Sequence, residues 1–164
     1  MGKAKNYGSG LENLISTFPE LPIDTVTRLD KGYYKAYPDV LKYQNAVIEA
    51  RRKLGYVENL FGRRYYLKDG NLAYKLGNYL IQGSSADILK EKIILADEYI
   101  EKNKIKTQFM MNVHDEMQFT SVKGEEKHIL ELQKIMKEDR LLIPIPADLE
   151  VTYTNWAEKK DCIL

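Results

Sequence analysis

The most informative stretch of the chain is residues 106–121, which read KTQFMMNVHDEMQFTS. Apolar and polar residues alternate on either side of its centre, and this period of two predicts strands at 106–113 and 116–121. The residues expected on one face of each strand are Phe109, Met111 and Val113 in the first, and Met117 and Phe119 in the second. The residues left between the strands are His114 and Asp115, so the stretch predicts an antiparallel β-hairpin with two titratable side chains at its tip.

The turn residues His114 and Asp115 are unusual for a hairpin tip. Two-residue turns favour Asn-Gly or Asp-Gly because their backbone requires positive φ angles, although His and Asp tolerate such angles better than most residues do. A local departure of this kind often marks a functional site. The oxygens of Asp115 and Glu116 suit Mg²⁺, which binds one or two carboxylates together with substrate phosphates. The turn is therefore either half of a two-metal phosphoryl-transfer site or an ordinary solvated turn.

Helical periodicity and turn residues predict the other elements around this hairpin. Apolar residues at helical spacing predict helices over 24–37, 38–54, 72–102 and 125–137, after a short one that starts near Ser9. A second hairpin is predicted over 56–67, a final strand over 147–153, and an end to the ordered chain at Asn155-Trp156. Gly83-Ser84-Ser85 is expected to kink or divide the long helix.

Two amide side chains on the long helix form a second candidate site. Asn78 and Gln82 stand four residues apart and therefore share a helical face. Amides on one face could read the N3 and O2 acceptors that every base pair presents in the DNA minor groove. The alternative is that Ser84, Ser85 and Asp87 cap a helix and that both amides are merely exposed.

A basic segment is present in a chain whose net charge is only +1. From Lys42 to Lys75 there are eight basic and three acidic residues, a local excess of five positive charges. Arg63 and Arg64 stand in the turn region of the hairpin predicted over 56–67 with tyrosines around them, a combination that suits a phosphate backbone. The alternative is an ordinary solvated surface.

The composition sets the broad class of protein. The 164 residues are 44% hydrophobic and 30% charged, which predicts one globular domain and excludes a disordered chain. The balance of 25 basic and 24 acidic residues excludes a polybasic protein that holds nucleic acid by bulk charge alone. The single cysteine, Cys162, excludes an intrachain disulfide. Neither a signal peptide nor a membrane-spanning run is recognisable, so we expect a cytoplasmic protein.

Taken together and in order, these patterns resemble the carboxy-terminal part of family A DNA polymerases, the DNA polymerase I type. The segments that carry the resemblance are Tyr37-Pro38-Asp39-Val40, Gly55-Tyr56-Val57-Glu58, Gly62-Arg63-Arg64, Asn78 with Gln82-Gly83-Ser84-Ser85-Ala86-Asp87, Val113-His114-Asp115-Glu116, Glu150-Val151 and Asn155-Trp156. Spacing back from Tyr37 also puts Tyr7-Gly8 within one residue of the Tyr-Gly that ends the family's fingers helix, so the match extends from about Tyr7 to Trp156, nearly the whole chain. The chain departs from the family at Tyr74, where the family tends to have Arg, and it contains no counterpart of motif A, which bears a second metal-binding aspartate.

The resemblance implies an α+β fold in which residues 1–55 are partial fingers helices and residues 56–164 are a partial antiparallel palm that carries motif C in its hairpin. Asp115 would then bind metal, Glu116 would assist by a metal contact or by positioning, and His114 would hydrogen-bond near the primer terminus. The residues implied to contact DNA, besides His114, are Asn78, Gln82, Arg63 and Arg64. The residues implied to contact the incoming nucleotide are Tyr7 and, as a second candidate, Lys3.

The implied function is template-directed DNA polymerisation, in which a primer 3′ hydroxyl attacks the α-phosphate of a deoxynucleoside triphosphate. Two Mg²⁺ ions would be required, and this chain would supply only part of their site. We therefore expect it to need primer-template DNA and an amino-terminal polymerase piece that bears motif A, as in a split gene of a bacterial or phage-infected cell. Two alternatives are a non-catalytic DNA-binding remnant and a small metal-dependent hydrolase that uses His114, Asp115 and Glu116.

Overall fold

The computed structural model describes residues 2–6, 8–67 and 75–162. The helices in these ranges are α1 Gly2–Asn6, α2 Leu11–Thr17, α3 Ile23–Ala36, α4 Pro38–Leu54, α5 Lys75–Asn103 and α6 Glu126–Met136. The strands are β1 Tyr56–Glu58, β2 Arg64–Tyr66, β3 Gln108–Val113, β4 Glu116–Thr120, β5 Glu150–Val151 and β6 Lys160–Asp161, with a 3₁₀ helix at Trp156–Glu158. Strands pair antiparallel as β1–β2, β3–β4 and β5–β6. The predicted α+β class is confirmed.

The chain divides into two compact units, residues 1–85 and 86–164, and α5 runs through the boundary between them. The boundary between these compact units does not test the predicted division into fingers and palm at residue 55, which stays a prediction. Within the described ranges, no helix combines the length and the apolar content that crossing a membrane requires.

The first unit is built around α4, whose two ends follow from single residues. Pro38 opens the helix in its first turn, where the N–H that proline lacks would have no intrahelical partner. Gly55 ends the helix with φ 80°, a left-handed conformation that favours glycine, and donates its N–H to the carbonyl of Arg51. A buried core cluster of this unit joins Val47 from α4, Val57 from β1 and Leu76 from α5.

A carboxylate joins the β3–β4 hairpin to α6 in the second unit. Glu125, which immediately precedes α6, accepts hydrogen bonds from the N–H of Lys106 at 2.7 Å and from the N–H of Thr107 at 2.8 Å. It also accepts one from the hydroxyl of Thr107, which is fully buried, at 2.6 Å. The pKa of Glu125 lies below its ordinary value. The largest cause is the hydrogen bond from the Thr107 hydroxyl, and the next is that from the backbone N–H of Lys106. Ionised Glu125 therefore holds the start of β3 against the start of α6.

Helix α5 continues through Gly83, so the predicted division of the helix is wrong, whereas the predicted kink stays a prediction. Gly83 has a packing role instead, because a Cβ at this position would overlap the hydroxyl of Tyr65 and lie 2.7 Å from its Cζ. The next residue, Ser84, donates its hydroxyl to the carbonyl of Leu80 at 2.7 Å and accepts from the N–H of Leu60 at 3.4 Å. Ser84 lies inside a continuous helix and caps no helix end. These two small residues allow the β1–β2 hairpin to approach α5 closely.

Strand β3 does not alternate regularly, although it pairs with β4 along its length. A bulge separates Phe109, which pairs with Phe119, from Met111, which pairs with Gln118. Because Phe119 and Gln118 are successive residues of β4, they point to opposite faces, and so do their partners. The prediction that Phe109 shares a face with Met111 and Val113 is therefore wrong, since one extra residue reverses the alternation.

The last predicted strand is shorter than expected and is not the last element. Strand β5 covers only two residues of the predicted 147–153 and pairs with β6. Between them, the side chain of Asn155 accepts a hydrogen bond from the N–H of Ala157 at 3.1 Å and caps the 3₁₀ helix. The prediction that the ordered chain ends at Asn155-Trp156 is wrong, because the chain continues into a strand that no apolar alternation marks.

Candidate functional site

The turn between β3 and β4 places a histidine and a carboxylate at the tip of a hairpin. Val113 pairs with Glu116, so His114 and Asp115 form a two-residue turn. His114 has φ 55°, in the left-handed region, which costs a non-glycine residue about 1 kcal/mol. Both turn side chains are exposed. Such strain persists only where the surrounding structure imposes it, and here the paired strands on both sides impose it.

Glu116 differs from its neighbour Asp115 because an ammonium group holds it. Lys159 Nζ lies 2.6 Å from Oε1 of Glu116 and 2.7 Å from Oε2 of Glu150. Hydrogen bonds to these carboxylates raise the pKa of Lys159, and Glu116 has the larger effect. The same Nζ lies 5.4 Å from the ring centroid of Trp156. In contrast, the carboxylate of Asp115 has no ion pair or hydrogen bond within the described ranges.

The donors at the hairpin tip fit Mg²⁺ in kind, but they are too few for a complete site. Carboxylate oxygens are the hard donors that Mg²⁺ prefers, and the ion usually completes its shell with water and substrate phosphates. Asp115 offers such a carboxylate to solvent, whereas the adjacent carboxylate of Glu116 is bound by Lys159. In the part of the chain that the structure describes, no three His, Cys, Asp or Glu side chains form a group that could hold a metal.

Helix α5 carries the two predicted amides but presents them differently. Gln82 is exposed, whereas Asn78 is half-buried. The Oδ1 atom of Asn78 is buried and has no hydrogen-bond partner among the described residues. A buried acceptor without a donor costs about 1–3 kcal/mol. Gln82 is therefore the amide available at the surface of α5, and Asn78 contributes an acceptor that lacks a donor.

The β1–β2 hairpin presents both predicted arginines on a hydrogen-bonded turn. Asn59 Oδ1 accepts hydrogen bonds at 3.0 Å from two N–H groups of the turn, one of them that of Arg63. Arg64 Nε donates to Oε2 of Glu58 at 2.8 Å, and the guanidinium carbon lies 4.5 Å from the ring centroid of Tyr56. The hydrogen bond to Glu58 is the largest cause of the raised pKa of Arg64. Both arginines are exposed, and the charge of Arg64 is partly compensated by Glu58.

Three residues singled out in the sequence lie outside what the structure describes: Tyr7, Tyr74 and the side chain of Lys3. Conversely, no pattern in the sequence indicated Lys159. This residue is 43 positions away from Glu116 along the chain, so no local pattern could reveal the contact. Glu150 belongs to a segment that carries the resemblance, but alternation there predicts only a strand.

Comparison with known proteins finds relatives for most of the chain. Residues 5–158 match the family model described as DNA polymerase family A. DNA polymerase DpoZ of Salmonella phage PMBT28 is 29% identical over 136 residues, which cover 80% of this chain and 22% of that polymerase. DNA polymerase I of Streptococcus pneumoniae is 33% identical over 142 residues, which cover 78% of this chain and 16% of that polymerase. The chain thus spans about a fifth of the length of these curated relatives.

A solved structure agrees with these relatives. The POL domain of Pol1 from M. smegmatis, in complex with DNA primer-template and dNTP, matches with a TM-score of 0.73 and 25% sequence identity. The match covers 83% of this chain and 26% of that chain. The resemblance inferred from the sequence is thereby confirmed on two independent grounds, a family-wide sequence pattern and a shared fold, and the chain belongs to DNA polymerase family A.

Proposed function

We propose that this chain is the carboxy-terminal portion of a template-directed DNA polymerase, which adds deoxynucleotides to a primer 3′ end in DNA replication. The observation that carries the proposal is the exposed carboxylate of Asp115 at a strained turn, in a chain of polymerase family A. In this proposal residues 1–55 belong to the fingers and residues 56–164 to the palm. The location proposed for it is the cytoplasm of a bacterial or phage-infected cell.

The hairpin tip would hold the reacting groups. Asp115 binds metal, Glu116 assists it, and His114 hydrogen-bonds near the primer terminus. Bound Mg²⁺ ions would supply charge stabilisation to the attacking and leaving oxygens of the transfer. Because the hairpin offers one open carboxylate, the second comes from a motif A segment, which we assign to an amino-terminal polymerase piece.

The remaining proposed contacts bind the substrates. Gln82 and Asn78 contact the DNA duplex, and the exposed guanidinium groups of Arg63 and Arg64 contact its phosphates. Tyr7 and, as the second candidate, Lys3 contact the incoming deoxynucleoside triphosphate. The solved relative, a polymerase domain in complex with DNA primer-template and dNTP, supports these two classes of partner.

The test is primer extension by the full chain mixed with the complementary amino-terminal portion of a family A polymerase. We expect extension only in the mixture, and a loss on the order of 100-fold or more with Asp115→Asn, as for removal of a group that stabilises transition-state charge. Asp148→Asn is the matched control, because Asp148 is exposed and the same charge is removed away from the hairpin. This control should extend primers at the wild-type rate.

DNA binding measured by fluorescence anisotropy separates the alternatives. A non-catalytic DNA-binding remnant predicts salt-dependent binding with no extension in any mixture, a result that would refute the catalytic proposal. A small metal-dependent hydrolase predicts tight Mg²⁺ binding by the isolated chain, whereas a half site predicts only weak binding. Equal extension by the Asp115→Asn and Asp148→Asn variants would refute the role of Asp115.

A further inference from the structure

The contact of Lys159 with two carboxylates is more specific than an ordinary surface ion pair. One ammonium group lies 2.6 Å from Glu116 and 2.7 Å from Glu150, at the distances of charge-assisted hydrogen bonds. The Lys159 side chain is only 26% exposed, less than either carboxylate partner. Exposed pairs often contribute little because two long side chains must be ordered for one weak contact. Here one lysine side chain is ordered for two contacts.

The backbone around Lys159 fixes where its side chain starts. Lys159 follows the 3₁₀ helix directly and donates its N–H to the carbonyl of Trp156 at 3.4 Å. The next residue, Lys160, pairs with Val151 across β5–β6, one position along from Glu150. Lys159 therefore lies one residue before β6, which pairs with the strand that supplies Glu150, and from there its ammonium group reaches the first residue of β4, Glu116.

The two carboxylates beside the turn thus have different electrostatic surroundings. A divalent cation at Glu116 would have to displace Lys159 or accept its repulsion, because like charges a few ångströms apart repel strongly. A cation at Asp115 meets no such contact in the described part of the chain.

We propose that Lys159 is a positioning residue that withholds Glu116 from metal binding and leaves Asp115 as the metal-binding carboxylate of the hairpin. The inference rests on the proposed function, in which this hairpin binds a divalent cation. In this inference Glu116 contributes by positioning and not by a metal contact. Lys159, which lies outside the hairpin, determines which of the two carboxylates binds the metal.

The test uses Mn²⁺ and the full chain with ¹³C-labelled carboxylates. In the wild type at a low Mn²⁺ to protein ratio, paramagnetic broadening, which falls steeply with distance from the ion, should be much stronger at the Asp115 carboxylate than at that of Glu116. In Lys159→Met, the two carboxylates should broaden alike and Mn²⁺ affinity should rise about tenfold, the size expected for removing one positive charge about 6 Å from a divalent ion in water-like surroundings. Lys159→Arg keeps the charge and the donors, so it should behave as the wild type.

Lys160→Met is the matched control, since Lys160 is an exposed neighbour with no ion pair among the described residues. Equal effects of Lys159→Met and Lys160→Met would overturn the inference, because bulk charge would then explain them. Broadening of Glu116 as strong as that of Asp115 in the wild type would also overturn it while leaving the metal site of the proposed function intact. No broadening at Asp115 in any variant would overturn that metal site and the inference together. Retained amide shifts in β3 and β4 establish that Lys159→Met remains folded.

Discussion

Replacing Gly83 by alanine tests whether close packing against Tyr65 explains this glycine inside a helix. Alanine is favoured over glycine in a helix interior by about 0.5–1 kcal/mol, so a glycine without a packing role would give a more stable variant. The structure predicts the opposite, because the added Cβ would overlap the Tyr65 hydroxyl and lie 2.7 Å from Cζ. Tyr65 packs against the buried core of the first unit, so its ring would have to move. Overpacking costs about 1–3 kcal/mol, and subtracting the helix preference leaves a net destabilisation of up to about 2.5 kcal/mol, with a central value of about 1 kcal/mol.

Urea unfolding measures this difference directly. A loss of that size lowers the urea midpoint by about 0.5–1 M at an ordinary m-value. Gly32→Ala is the matched control, because Gly32 lies inside α3 and a Cβ there would meet open space; it should stabilise the protein by about 0.5–1 kcal/mol. In a Tyr65→Leu background the overlap is absent, so Gly83→Ala should lose its cost and stabilise the protein by about 0.5–1 kcal/mol. The reasoning is refuted if Gly83→Ala stabilises as Gly32→Ala does, or if Tyr65→Leu leaves its cost unchanged.

Three further predictions concern the turn, the core and the acid response. His114→Gly should raise the free energy of unfolding by about 1 kcal/mol, because glycine adopts φ 55° without strain; a less stable variant in urea would contradict this. Leu76→Ala should lower it by about 2–5 kcal/mol, since Leu76 is fully buried, and a loss below about 1 kcal/mol would show that the site is loosely packed. Hydrogen bonds from Thr107 and Lys106 depress the Glu125 pKa below 4.5, so their stabilisation is present above that pH and is lost as the pH falls through the folded-state pKa. Glu125→Gln should flatten the dependence of unfolding free energy on pH in that window, and an unchanged slope would count against it.

Local patterns in the sequence were sufficient for the elements that position the candidate site. The ends of α4 follow from Pro38 and Gly55, each through its own backbone chemistry. The turn at His114 and Asp115 lies where the alternation of the flanking strands stops. These features depend on residues within a few positions of one another, so they can be predicted from local sequence patterns.

Features that depend on distant contacts were not predictable in this way. Gly83 looks like a helix breaker until Tyr65 is seen to occupy the space of its missing side chain. The bond between Glu125 and the Thr107 hydroxyl joins residues 18 positions apart. The bulge in β3 has no marker either, because the methionines around it suit a strand. Each of these features arises from packing, which periodicity does not record.

Because β3 contains a bulge, the direction of the hairpin tip could be changed while the residues of the tip stay the same. Every paired residue of β3 would keep its present partner in β4 if Met110, the residue in the bulge, were deleted. What would change is the local bend and twist that a bulge adds to a strand, and hence the direction in which His114 and Asp115 leave the sheet. Deleting one residue from β3 would therefore change the direction of the Asp115 carboxylate without altering any side chain that flanks it.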